Sequence, residues 1–142
     1  MGLRKAAASA AASLAVLIGL SGTASATSAA PAADNSGASI IGVTGRPSAN
    51  NGGKDCAYGN LCLYTGPNHT GTRFELYNCS TYSLNNWNGW GSWVNRQTPG
   101  QQAWFMDVNH TVVSVANGSN GPDDYWHVLY YDYAPIWYVK NC

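Results

Sequence analysis

The sequence predicts an all-β domain over residues 54–142, stapled by two disulfides, on three observations. All 17 aromatic residues lie from Tyr58 onward and all four cysteines from Cys56 onward, so the core-forming residues are confined to the C-terminal part of the 142-residue chain. There, runs of five to eight residues rich in Val, Ile, Thr, Tyr, Phe and Trp alternate with clusters of Gly, Asn, Pro and Asp, the pattern of short strands and turns. No window keeps apolar residues at helical spacing over three turns without a breaker.

The first elements are of another kind. Arg4 and Lys5 precede an apolar run from Ala6 to Leu20, and the small-residue pattern Ala24-Ser25-Ala26 follows. This is the signature of a secretory signal over residues 1–26, cut after Ala26. Its strongly apolar part, Leu14 to Leu20, is far shorter than the roughly 20 residues a membrane span needs. The expected product is therefore a secreted, extracellular protein with no membrane association after cleavage. Removing Arg4 and Lys5 leaves five basic against seven acidic side chains, a net charge of −2, which argues against nucleic acid as a partner. Residues 27–53 are mostly Ala, Ser, Gly, Asn and Pro, with one apolar island at Ile40-Ile41-Gly42-Val43. That composition predicts a flexible linker, with the island as a segment able to pair with a sheet edge.

Within the domain the strand candidates are 61–65, 72–78, 92–97, 103–108, 111–116, 126–132 and 136–140. Phe74 with Leu76, and Trp104 with Met106 and Val108, alternate so that each set lines one face. Four cysteines in a small exported domain point to disulfides rather than a metal, since no Cys-x-x-Cys or matching Cys/His spacing occurs. Of the three pairings open to them, the local one joins Cys56 to Cys62 across five residues and leaves Cys79 for Cys142.

An internal echo organises the rest. The octet from Tyr64 to Gly71, with Asn68-His69-Thr70, is answered 41 residues later by Phe105 to Val112, with Asn109-His110-Thr111. A repeated unit of about forty residues suits two four-stranded Greek keys packed as a sandwich. Tyr64, His69 and Gly71, with a later Ser92, resemble the βγ-crystallin motif, in which the glycine permits a folded-over hairpin and the serine ties it down. Val112 stands where the second unit needs the glycine, and no serine follows at the same distance, so the second motif is degenerate.

A broader resemblance runs through Cys56, Gly59 to Tyr64, Gly71, Tyr77-Asn78-Cys79, Asn86 to Ser92, Arg96-Gln97-Thr98 and Pro135 to Cys142. It is to the secreted bacterial family named for a metalloproteinase inhibitor, which has a βγ-crystallin-like fold and a small disulfide near its start. The Ala-rich signal fits a bacterial source. The resemblance implies a peptidase inhibitor acting through a rigid, substrate-like loop on an extracellular peptidase. The cysteine that adjoins the reactive bond in that family's second half has no counterpart between Cys79 and Cys142. The loop candidate is instead Asn117, Gly118, Ser119 and Asn120, between two strands.

No Gly-x-Ser-x-Gly elbow, His-Glu-x-x-His pair or phosphate-cradling loop occurs, so neither catalysis nor a cofactor is expected. Calcium binding at the end of the first unit has only Asn88 and Ser92 to offer, too few oxygens for a hard cation, and no metal is expected. Trp87 and Trp90 are candidate binding aromatics. With Tyr130, Tyr131 and Tyr133 they support an alternative reading: a secreted binding or toxin-like module directed at cell-wall glycans.

Overall fold

The structure, a computed structural model, describes residues 35–142. The expected signal sequence and the first part of the expected linker lie outside the described residues. Among the described residues ten strands form: β1 (Ser39–Ile40), β2 (Arg46–Pro47), β3 (Leu61–Gly66), β4 (Thr70–Leu76), β5 (Thr81–Asn85), β6 (Trp90–Asn95), β7 (Gln102–Met106), β8 (Val112–Asn117), β9 (Trp126–Asp132) and β10 (Tyr138–Asn141). Pairing is antiparallel throughout, in two five-stranded sheets of order β2-β4-β3-β6-β9 and β1-β5-β10-β7-β8. The chain is an all-β sandwich, as its sequence predicts.

The two repeat units are β3–β6 and β7–β10, and each gives its third strand to the opposite sheet: β5 joins β10, and β9 joins β6. Neither unit can close a sheet alone, so the two share one core. Leu61, Leu63, Phe74, Leu76 and Trp93 from the first sheet meet Ala103, Phe105, Ala116 and Val139 from the second, with Trp87 and Tyr133 between them. The rings are in mutual contact, Trp87 to Tyr133 at 4.6 Å and Phe105 to Tyr131 at 5.0 Å between centroids. Three polar tethers cross the core. Asn95 donates to Ala116 O, Asn141 to Leu76 O, and Tyr133 Oη to Ser92 O.

All seven expected strands are present, with ends moved by one or two residues, and three more appear. β5 escapes the sequence pattern because its apolar residues, Tyr82 and Leu84, sit among Thr, Ser and Asn. It exists because β10 and β1 supply its backbone partners. The flexible linker over 27–53 is corrected for residues 35–53. Ile40 pairs with Leu84 and is 3% exposed within the core, β2 pairs with β4, and Asn35 is buried. Pairing along two sheet edges, with a single apolar anchor, overrides a composition that is disordered by local criteria.

Both disulfides form in the local-plus-terminal arrangement, Cys56 to Cys62 and Cys79 to Cys142. The corner of the first unit is a single 3-10 turn at Pro67–His69, in which Asn68 and His69 take left-handed φ of 55° and 59°. Ser92 locks it: its buried Oγ accepts the His69 N–H at 2.8 Å and donates to Gly66 O at 2.7 Å. Gly71 follows at φ 78°, where an added Cβ would lie 2.4 Å from Thr65 Oγ1. The second unit closes differently, in keeping with its degenerate motif. The Asp107 carboxylate accepts the N–H groups of Asn109 and Thr111, both at 2.8 Å, and His110 stacks on Tyr138 at 4.0 Å.

Candidate functional site

A heavily braced, partly exposed segment is the loop over residues 48–60, which lies on the outer face of the first sheet. Its placement follows from β3, whose residues are buried on both faces. Leu61 and Leu63 point into the main core, while Cys62 and Tyr64 form a second small cluster with Cys56 and Val94, against which Tyr125 packs. The loop covers that cluster. Gly53 makes the close approach, at φ 83°, where a Cβ would stand 2.5 Å from Val94 Cγ2.

Asp55 holds the loop together. Its carboxylate pairs with Arg73 Nη1 at 2.7 Å and accepts the Tyr64 hydroxyl at 2.8 Å and the Ala49 N–H at 2.9 Å. Burial works against the charge here, but the hydrogen bonds from Ala49 and Tyr64 and the charge of Arg73 hold the carboxyl below its usual value. The same surroundings, burial first and Asp55 second, push the Tyr64 phenol well up, so it stays a donor. Arg73 also reaches Glu75 at 2.9 Å. The backbone is fastened as well: Arg96 Nη1 donates to Cys56 O at 2.8 Å, Gly59 N to Arg96 O at 2.8 Å, and Asn60 N to Ala57 O at 3.2 Å. The Cys56–Cys62 bridge closes a ring from which Ala57 and Tyr58 project, Tyr58 being 44% exposed.

The residues marked out by sequence fare unevenly. Of the loop candidate at residues 117–120, Asn117 ends β8 and, like Asn120, is exposed, whereas Gly118 and Ser119 are buried. Ser119 donates its N–H to Gln97 O, and its hydroxyl bonds Gly121 O. This turn folds back on the sandwich and does not project, which corrects the loop assignment. Trp87 is corrected as a binding aromatic: it is 2% exposed, and its Nε1 donates to Ser39 O at 3.1 Å. Trp90 is 36% exposed on β6 and keeps a surface face. Sequence reasoning passed over loop 48–60 because its brace depends on Arg73, eighteen residues beyond Asp55. The visible signal was only Asp55 beside Cys56, after a run of Asn and Gly.

His69 is buried against Tyr64 and His127, at 5.1 and 5.4 Å between ring centroids. Burial, with the neighbouring His127 second, lowers its pKa and favours the neutral ring. Ser92, weighed for calcium from sequence, spends its hydroxyl on His69 and Gly66. Among the described residues no group of three or more His, Cys, Asp or Glu is placed to hold a metal ion, and no helix is long and apolar enough to cross a membrane. Compared with protein-family models, curated proteins and solved structures, the chain has no match.

Proposed function

We propose that the protein is a secreted inhibitor of extracellular peptidases, of metallopeptidases in particular, and that loop 48–60 is the part that enters the target's cleft. One observation carries this reading: an exposed Tyr58 sits on a short ring closed by a disulfide and fastened through Asp55, Arg73 and Arg96. A loop already held in one shape loses little conformational freedom on binding, so a small contact area can give high affinity. The Ala57–Tyr58 bond lies inside the Cys56–Cys62 ring. If a target peptidase cut it, both new ends would stay joined to the scaffold, which favours slow release over turnover. The metallopeptidase preference comes from the family resemblance in the cysteine frame and the flanking motifs.

The test is inhibition by the purified protein of a panel of metallo- and serine peptidases at micromolar concentration. At least one metallopeptidase is expected to be inhibited. Tyr58→Ala should weaken that inhibition by about tenfold or more, equal to about 1.4 kcal/mol. Asn117→Ala, in the turn that folds back, should leave it unchanged. A panel left fully active refutes the proposal.

A further inference from the structure

We infer a second binding site, for a neutral pyranose unit of a polysaccharide, in the groove between the turn after β5 and the segment leading into β10. It shares no residue with loop 48–60 and does not depend on the inhibitory reading. The groove has a volume of about 330 Å³, at the low end of the range of small-molecule clefts. Its floor is apolar, made by Leu84, Trp87 and Ile136, all buried. Its rim carries Trp137, with 51% of its surface exposed, and the exposed residues Asn85, Asn86 and Asn88.

The chemistry of the lining selects the ligand. Among the described residues no Lys, Arg, His, Asp or Glu lines the groove, so none of them favours a phosphate, a carboxylate or a cation there. Among the described residues the side chains of Asn85 and Asn88 have no hydrogen-bond partner, and each offers an amide donor beside a carbonyl acceptor. Such groups suit neighbouring hydroxyls, each of which both gives and accepts. Trp137 supplies a flat apolar face next to them, and a pyranose ring presents a C–H face together with equatorial hydroxyls. A neutral sugar matches both halves of the site.

The groove is also preformed. Its two walls are joined by backbone hydrogen bonds, Tyr133 N to Gly89 O at 3.1 Å and Leu84 N to Trp137 O at 2.9 Å. Trp137 N is held by Met106 O at 2.9 Å, so the indole stands on fixed backbone. Trp87, committed through its Nε1 to Ser39 O, fixes the floor. This gives the Asn86-Trp87-Asn88 motif a division of labour, with the ring as floor and the amides as rim.

The test is calorimetric and fluorescence titration of the purified protein with cellohexaose, chitohexaose and maltohexaose. At least one should bind, with the three arms separating glucose from N-acetylglucosamine and β from α linkage. Trp137→Ala is expected to reduce its affinity about tenfold or more, and Asn88→Ala to reduce it several-fold. Trp126→Ala, which removes an exposed indole outside this groove, should leave it unchanged. Thermal melts check that each variant is folded; should Trp137→Ala not fold, Asn85→Ala and Asn88→Ala carry the comparison. No binding to any of the three overturns the inference, as does binding that Trp137→Ala and Asn88→Ala leave intact. Self-association abolished by Trp137→Ala, without saccharide binding, also overturns it and assigns the groove to a second copy of the chain.

Discussion

Replacing Ser92 with alanine tests whether one hydroxyl locks the corner of the first unit. In the native structure the buried Oγ satisfies the His69 N–H and the Gly66 carbonyl, while two consecutive residues, Asn68 and His69, hold left-handed backbone. Alanine keeps the packing almost unchanged but leaves the buried His69 N–H and the part-buried Gly66 carbonyl without their partner. Each such orphan costs about 1–3 kcal/mol, and the strained turn loses its tether, so a total loss of about 2–4 kcal/mol is expected. In a domain of this size 1 kcal/mol moves Tm by about 4–8 °C, which puts the fall at about 8–32 °C. Urea unfolding followed by the fluorescence of buried Trp87 and Trp93, together with thermal melts, measures both quantities. The second corner is the internal control. Asp107 serves it at the surface, where water can replace the carboxylate, so Asp107→Ala should cost only about 0.5–1.5 kcal/mol. A Ser92→Ala loss below about 0.5 kcal/mol with an unchanged urea slope, or a loss no larger than that of Asp107→Ala, would refute the locking argument.

Three further outcomes are expected. Replacing Cys79 and Cys142 together by serine releases a loop with a sequence separation of 63, worth about 4 kcal/mol in chain entropy; the Cys56–Cys62 loop, with a separation of 6, is worth about 2 kcal/mol, so melts of the two double variants should fall in that order. Ile40→Ala should destabilise by about 2–5 kcal/mol in urea titration, because the side chain is buried in the core; a near-zero effect would return residues 35–53 to the status of a spacer. Stability should fall on acidification in two stages. His69 has a folded pKa below the ordinary imidazole value of about 6.5, so the unfolded chain takes up its proton first and stability drops below about pH 6.5. Asp55 has a folded pKa below the ordinary carboxyl value of about 3.8; its contribution is complete above that value and is lost as the pH falls through the lower folded one. His69→Asn, which tolerates the left-handed backbone, should flatten the slope of Tm between pH 7.5 and 5, and an unchanged slope would remove His69 as its source.

How legible the molecule was depended on how local each feature is. The strand runs, the cysteine count, the octet repeat and the Ser92 tie are written in short windows or fixed spacings, and each appears in the structure where it was expected; the shared face of Trp104, Met106 and Val108 does not, because β7 turns Ala103 and Phe105 into the core and ends at Met106, leaving Val108 exposed. The degenerate second motif was equally visible, because the replacement of a glycine by Val112 changes what a backbone can do at one position. Only the tertiary structure could decide the rest. Ile40 belongs to a small apolar island in a polar stretch until β5 offers it a backbone edge, and β5, with only Tyr82 and Leu84 apolar, has no backbone partner until β10 and β1 pair with it. Trp87 and Trp90 look alike in sequence, yet one is core and the other surface, since a sheet face is assigned by what packs across it. Asp55 braces a loop through Arg73, and the walls of the Trp137 groove come from segments nearly fifty residues apart. Local composition determines which elements this chain can form. Which surfaces they share depends on contacts between distant residues, whose energies exist only once the chain has closed on itself.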